Sequence, residues 1–313
     1  MSPPASPRHA APAAPAAPAA PAAQPAAGQT WLLLRGLTRE TGHWGDFPAT
    51  LAAALPGARV IALDLPGNGR LHRLPSPARV EAMAEAARAH WQALAAALPD
   101  AHPDAPAPRV NLLAMSLGAM VAVAWASRHP QEVARAVLVN TSLRPFSPPQ
   151  QRLRPGNWLR LLGLLLPGRS AAGIEASVLR MTSARARPGA ATAPAGRPDD
   201  LARLPRWTPA ERAALLADWV ALRRRHPVAP ANALRQLLAA ARFSAPRAAP
   251  PVPLLLLNGA RDALVNPRCS QRLAAAWGAG LRVHPGAGHD LPLDAPDWVA
   301  AQVLAASAAP AGD

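Results

Sequence analysis

The 313-residue chain has no lysine, no tyrosine, one cysteine and three phenylalanines. The lone Cys269 excludes an intrachain disulfide framework and a cysteine-built zinc site. It suits a reducing compartment, so the expected location is the cytoplasm. Charged residues make up only 16 % of the chain, which argues against a wholly disordered polymer. No apolar run is long enough for a bilayer. The strongest, Leu112 to Ala126, carries Ser116 and falls short of the roughly 18–20 residues a spanning helix needs. No histidine pair or carboxylate cluster has metal-ligand spacing. No glycine-rich phosphate loop is present either, and Pro66-Gly67-Asn68-Gly69 reads as a tight bend. Neither a metal nor a cofactor is expected.

What is present is a chain that is 50 % apolar, enough for a substantial core. All of its basic charge is arginine, 33 residues in a net charge of +15. That usage, with abundant Ala and Pro, is typical of a GC-rich genome, so total charge says little about partners. Its placement says more. Residues 142–250 hold 18 arginines against 5 acids, and the rest of the chain holds 15 against 13. No stacking platform or recognition motif accompanies these arginines, so nucleic acid is not an expected partner.

Residues 1–28 are a low-complexity tail in which 8 Pro and 13 Ala leave nothing to pack. It lacks the unbroken apolar segment of a signal peptide and reads as disordered or polyproline-like. From Thr30 the pattern changes. Short apolar runs recur at Trp31–Leu34, Ala58–Leu63, Arg109–Met115, Ala134–Val139, Val252–Leu257 and Leu281–His284. Helix-length segments lie between them, at Phe47–Leu55, Val80–Leu98, Leu117–Arg128, Pro267–Trp277 and Asp294–Ala306. This alternation predicts an α/β fold: a mostly parallel, doubly wound sheet of about six strands with helices on both faces. About 110 residues separate the fourth strand from the fifth, too many for a simple crossover. They predict an inserted helical cap over 142–250, with a Pro/Gly-rich link at Arg187–Gly196. The α/β core is then 29–141 and 251–313.

Ala114-Met115-Ser116-Leu117-Gly118 sits where a strand meets a helix, the context a nucleophile elbow requires. Small residues two before and two after Ser116 meet the steric demand of that turn. The same pentapeptide also fits a helix N-cap serine. A serine needs a base, and the base needs an orienting carboxylate. Asp262 follows the fifth strand and His289 follows the last, both in loops at the strands' carboxyl ends. Asp64 reads as the anchor of its own turn.

With Arg35-Gly36, Asp64-Leu-Pro-Gly-Asn-Gly69, the serine elbow, Asn258-Gly-Ala-Arg-Asp262 and Gly288-His289 in this order, the chain resembles the α/β-hydrolase superfamily from about Thr30 to Ala306. The resemblance is to serine hydrolases with a helical cap, esterase-like and similar to pimeloyl-acyl-carrier-protein methyl esterases. It implies Ser116 as nucleophile, His289 as general base and Asp262 as the acid orienting it. It implies an oxyanion hole from the backbone N–H groups of Leu37 and Leu117, and cleavage of a carboxylic ester or thioester. His43 and Trp44 are candidates for the pocket edge. The basic cap suggests an acidic acyl carrier or a CoA ester as partner, with Arg223–Arg225, Arg152 and Arg154 as contacts. Ser116 argues against the relatives that use an aspartate nucleophile. A C–C bond hydrolase with the same triad, or a non-catalytic binding protein on this scaffold, are the alternatives. The chain departs from the pattern in having Arg35 where relatives carry histidine, so the oxyanion loop needs a different brace.

Overall fold

The computed structural model describes residues 28–98, 107–164, 166, 168–187 and 204–308. The Pro/Ala-rich stretch up to residue 27 and all of the Pro/Gly link after Arg187 lie outside the described residues.

Six parallel strands form one sheet in the order β2-β1-β3-β4-β5-β6. They are β1 (Thr30–Leu34), β2 (Arg59–Leu63), β3 (Val110–Met115), β4 (Val133–Val139), β5 (Leu254–Gly259) and β6 (Gly280–His284). Each falls within two residues of an apolar run. β1 and β3 are buried at every position, and this two-sided burial is why they lack polar alternation. The alternation survives in which layer each side chain enters. Leu32, Leu34, Leu112 and Ala114 join α2 (Val80–Ala96) and α3 (Leu117–Arg128) on one face. Trp31, Leu33, Leu113 and Met115 join α1 (Phe47–Ala54) and α11 (Pro296–Ala308) on the other. The edge strands β2 and β6 carry Arg59 and Arg282, charges that discourage pairing with another sheet.

Between β4 and β5 run α4 (Pro149–Arg152), α5 (Trp158–Leu164), α6 (Ala171–Thr182), α7 (Pro209–Arg225) and α8 (Pro230–Arg242). Two of these begin on side-chain caps. Ser170 accepts from Gly173 N, and Thr208 and Glu211 form a reciprocal capping box. Leu179, Ala186 and Trp219 make a small third core inside this segment. The remaining helices are α9 (Arg268–Trp277) and α10 (Leu291–Asp294). Among the described residues, no helix is long and apolar enough to cross a membrane.

After β2 the chain returns across β1 to start β3, so strand order reverses between β1 and β3. Loops leaving the carboxyl ends of such a pair flank a crevice, the usual ligand position in open α/β sheets. Arg35-Gly36-Leu37 leaves β1 there, and Ser116 leaves β3.

Candidate active site

Ser116 has φ 56° and ψ −117°, a backbone strain that a non-glycine residue adopts only where its surroundings impose it. Its N–H donates to Val139 O (3.0 Å), and its own carbonyl accepts from Thr141 Oγ1 (3.3 Å). α3 starts at the next residue, so Ser116 stands at the turn between β3 and that helix. Gly118 is required by contact: a Cβ there would lie 2.5 Å from Leu34 O and 2.6 Å from Arg35 O. The β1 loop therefore rests against the start of α3. A Cβ on Gly36 would stand 3.0 Å from Ser116 Cβ, which puts the expected oxyanion loop beside the expected nucleophile. Leu117 is the first residue of α3, so its N–H has no helical acceptor. Leu37 N makes no hydrogen bond among the described residues.

Asp262 and His289 are both 2 % exposed. Asp262 Oδ2 lies 2.7 Å from His289 Nδ1, and Oδ1 accepts from Leu264 N (2.8 Å) and Val265 N (2.9 Å). Two backbone donors thus fix the carboxylate, leaving one oxygen to accept from the ring and hold its Nδ1–H tautomer. The structure joins Asp262 to His289. Among the described residues Ser116 Oγ makes no hydrogen bond, and the His289 ring makes none beyond that to Asp262, so the serine–histidine bond is not formed here.

Asn140, with φ 47° just after β4, connects two of these segments. Its Nδ2 donates to Gly288 O (3.0 Å) and His289 O (2.7 Å), and its Oδ1 accepts from Gly259 N (2.9 Å). One amide therefore ties the histidine loop to β5, one residue past the Val139 carbonyl that holds Ser116. Sequence reasoning missed Asn140. A side chain bridging loops 119 and 148 residues away leaves no local pattern.

The brace for the loop expected to hold the oxyanion is Arg35 itself. Its guanidinium forms two parallel bonds to Asp290, Nη1–Oδ1 at 3.0 Å and Nη2–Oδ2 at 2.6 Å, with both side chains at most 3 % exposed. Its Cζ lies 4.8 Å from the Trp44 ring. The ion pair joins the loop after β1 to the residue after His289. The signal for it was in the sequence: an arginine in the place of histidine, and an acid adjoining Gly-His.

His43 and Trp44 are buried. His43 packs edge-on to Trp219, Trp44 stacks on Phe47, and His43 borders a small cavity with Thr38, Glu40, Glu175 and Arg223. Burial holds the His43 imidazole well below its ordinary value, and the Arg39 and Arg35 charges add to that, so the ring is neutral at pH 7. Arg39 crosses to α6, where Nη1 lies 2.6 Å from Glu175 Oε2, and Arg223 of α7 pairs with the same carboxylate. Burial acts to raise the Glu175 carboxyl, but the two arginine charges overcome it and leave it below its ordinary value. Gln236 of α8 accepts from Thr38 N (2.8 Å), and Glu40 Oε2 lies 2.8 Å from His226. The 142–250 segment is thus tied to the loop that carries Leu37. Glu175 and Gln236 gave no sequence signal either.

Two of the arginines expected at a partner surface are engaged. Arg223 holds Glu175, and Arg152 donates to Ala240 O (2.5 Å) and Ala241 O (3.2 Å) at the end of α8. Asp64 accepts from Thr41 N (2.8 Å) and Arg70 N (2.9 Å), so it anchors its turn. Among the described residues no cluster of potential ligands could hold a metal ion.

Comparison with known proteins agrees with this architecture. No curated protein matches the chain by sequence. Solved structures do match by fold. An esterase from Exiguobacterium antarcticum is similar with a TM-score of 0.65 at 16 % identity, over 90 % of this chain and 93 % of that one. The enol-lactonase from Burkholderia xenovorans LB400 is similar at 0.61 and 19 %, over 89 % and 90 %. A thermophilic esterase from Thermogutta terrifontis is similar at 0.56 and 20 %, over 88 % of each chain. At these identities the likeness is one of fold. Residues 26–296 match the family Hydrolase_4, described as serine aminopeptidase, S33. With the six-stranded sheet, this makes the chain an α/β-hydrolase enzyme, and it belongs to that family.

Proposed function

We propose that the protein cleaves a carboxylic ester or thioester through an acyl-enzyme intermediate. The observation that carries this reading is the Asp262–His289 pair at 2.7 Å, on a loop tethered by Asn140, one residue past the Val139 carbonyl that accepts from Ser116 N. Ser116 Oγ attacks the acyl carbon while His289 Nε2 takes its proton. The Leu37 and Leu117 N–H groups receive the negative charge that develops on the carbonyl oxygen, each worth about 3 kcal/mol of transition-state stabilisation. His289 then gives the proton to the departing oxygen or sulfur. Water attacks the acyl carbon in the second half, with His289 again as base. Asp262 holds the imidazole tautomer throughout and stabilises the imidazolium that forms. A serine–histidine bond that tightens only once substrate is bound is common in enzymes of this chemistry.

The family description names an aminopeptidase, whose substrate presents an ammonium group. The buried carboxylates around the Leu37 loop already have partners: Asp290 has Arg35, Glu175 has Arg39 and Arg223, Glu40 has His226, and Asp64 has the Thr41 and Arg70 N–H groups. That commitment favours an ester or thioester over a peptide amine. An acidic carrier or CoA ester as acyl donor rests on charge alone. Arg154, Arg224 and Arg225 are the contacts it would retain.

The test is a panel of p-nitrophenyl esters of increasing chain length against amino-acid p-nitroanilides, with Ser116→Ala as control. Ester turnover that the control loses by roughly 10⁴-fold or more supports the reading. Turnover that survives in the control, or confined to the anilides, contradicts it. Run across ionic strength with a CoA thioester, the assay also tests the carrier idea: kcat/KM indifferent to salt removes it.

A further inference from the structure

A second cavity, of about 780 Å³, has neither Ser116 nor His289 in its lining. Arg154, Arg160, Arg169, Arg180 and Arg187 line it, and no acidic side chain does so among the described residues. No described carboxylate lies within ion-pair distance of any of the five. This sets them apart from Arg35, Arg39, Arg88 and Arg223, each of which meets an aspartate or glutamate.

Arg187 is fixed by neutral acceptors. Its Nε, Nη1 and Nη2 donate to the carbonyls of Arg180 (3.2 Å), Arg261 (2.9 Å) and Met181 (3.0 Å). These bonds position the guanidinium; the Asp262 and Asp294 carboxylates also act on its charge, though neither lies within ion-pair distance. Arg154 buries its Nε without a partner. Arg160 on α5, Arg169 before α6 and Arg180 on α6 are exposed, with their charge available to a ligand. Five cations lining one space repel each other, and an anion bound among them relieves this beyond what solvent screening does. A single carboxylate would offset one charge of five. The guanidinium fork matches phosphate oxygens in bidentate fashion, and the volume lies within the roughly 300–1,000 Å³ of small-molecule sites.

We propose that this cavity is a binding site for a phosphate-bearing ligand with several negative charges, separate from the acyl-transfer site. Its wall includes Ala263, the residue after Asp262. Asn157 Nδ2 donates to Ala263 O (2.7 Å) and Arg154 N to Leu264 O (2.9 Å). The ligand therefore sits against the loop that carries Asp262. The phosphate could be borne by a soluble compound or by a phospholipid headgroup, and the two are separable by experiment.

The test is calorimetric titration of the full-length protein with inorganic pyrophosphate at constant ionic strength, beside coenzyme A and vesicles of phosphatidylglycerol or phosphatidylcholine. Saturable pyrophosphate binding is expected, weakened about tenfold in Arg160→Gln/Arg180→Gln. It should persist in Arg242→Gln/Arg247→Gln, which removes the same charge at exposed positions outside the cavity. It should also persist in Ser116→Ala, so it stands or falls apart from the hydrolase reading. Binding of coenzyme A that Arg160→Gln/Arg180→Gln weakens assigns a soluble ligand; binding of phosphatidylglycerol but not phosphatidylcholine vesicles, weakened by the same variant, assigns a headgroup. Heat no greater than sodium chloride gives at the same ionic strength, or equal losses in the two double variants, overturns the proposal.

Discussion

Asn140 places one amide among three segments, and its partners fix which end is oxygen and which nitrogen. Replacing it with alanine removes two donors and one acceptor from a site where Asn140 is 1 % exposed. Gly259 N would then be buried without an acceptor, at a cost of roughly 1–3 kcal/mol. Asn140→Ala should therefore lower stability in urea denaturation by that amount. It should also reduce kcat more than it raises KM, because the His289 loop loses its tether while the acyl pocket is untouched. A variant equal to wild type in both measurements would show that the loop is held by other means. The strain at Ser116 belongs to the same scale: the Val139 carbonyl and the neighbouring backbone of Leu34 and Arg35 keep the elbow in place.

At the scale of elements, the Arg35–Asp290 pair fastens the loop after β1 to the loop after β6 across three intervening strands. Breaking a buried ion pair from one side leaves a charge without a partner, which costs about 3–5 kcal/mol. Arg35→Met and Asp290→Leu should each destabilise the protein by that order. The double variant should recover a large share, since it leaves neither charge exposed to the apolar interior. Additive losses in a denaturation double-mutant cycle would mean that the pair has no mutual coupling. The elements themselves were legible from the sequence. Two-sided burial writes continuous apolar runs such as Leu32–Leu34, and the chain order Ser116, Asp262, His289 located the candidate triad. What was illegible was polar and long-range. Glu175, Gln236 and Asn140 act through partners more than 100 residues away, and such pairings have no period to detect. Arg35 stood out only as a departure from a family pattern, and its partner became visible once the two loops were seen side by side.

At the scale of the molecule, one buried acid reports on how the 142–250 segment meets the rest. Asp294 accepts from Gly288 N (2.7 Å), Ala184 N (2.8 Å) and Ser183 Oγ (2.5 Å), joining the histidine loop to the turn after α6. Burial pushes its carboxyl up to about 6, against the three hydrogen bonds. An unfolded aspartate titrates near 3.9. Between those values the native protein holds a proton that the unfolded chain has lost. The stability contributed by this group is therefore fully present below about pH 4 and declines as pH rises to about 6. The difference in unfolding free energy between wild type and Asp294→Asn should fall across that window and then level off. Measuring both proteins together cancels the other carboxylates, whose contributions change in acid. A difference that grows with rising pH would contradict the assignment.

The central claim is that Ser116 is activated by the His289–Asp262 pair, and covalent labelling tests it most directly. A fluorophosphonate, treated with the native protein and followed by intact mass and peptide mapping, should add once, at Ser116, with loss of fluoride. The adduct should be absent from Ser116→Ala and form far more slowly in His289→Ala. A native protein that stays unlabelled, or labels at another residue with Ser116 intact, would contradict the account.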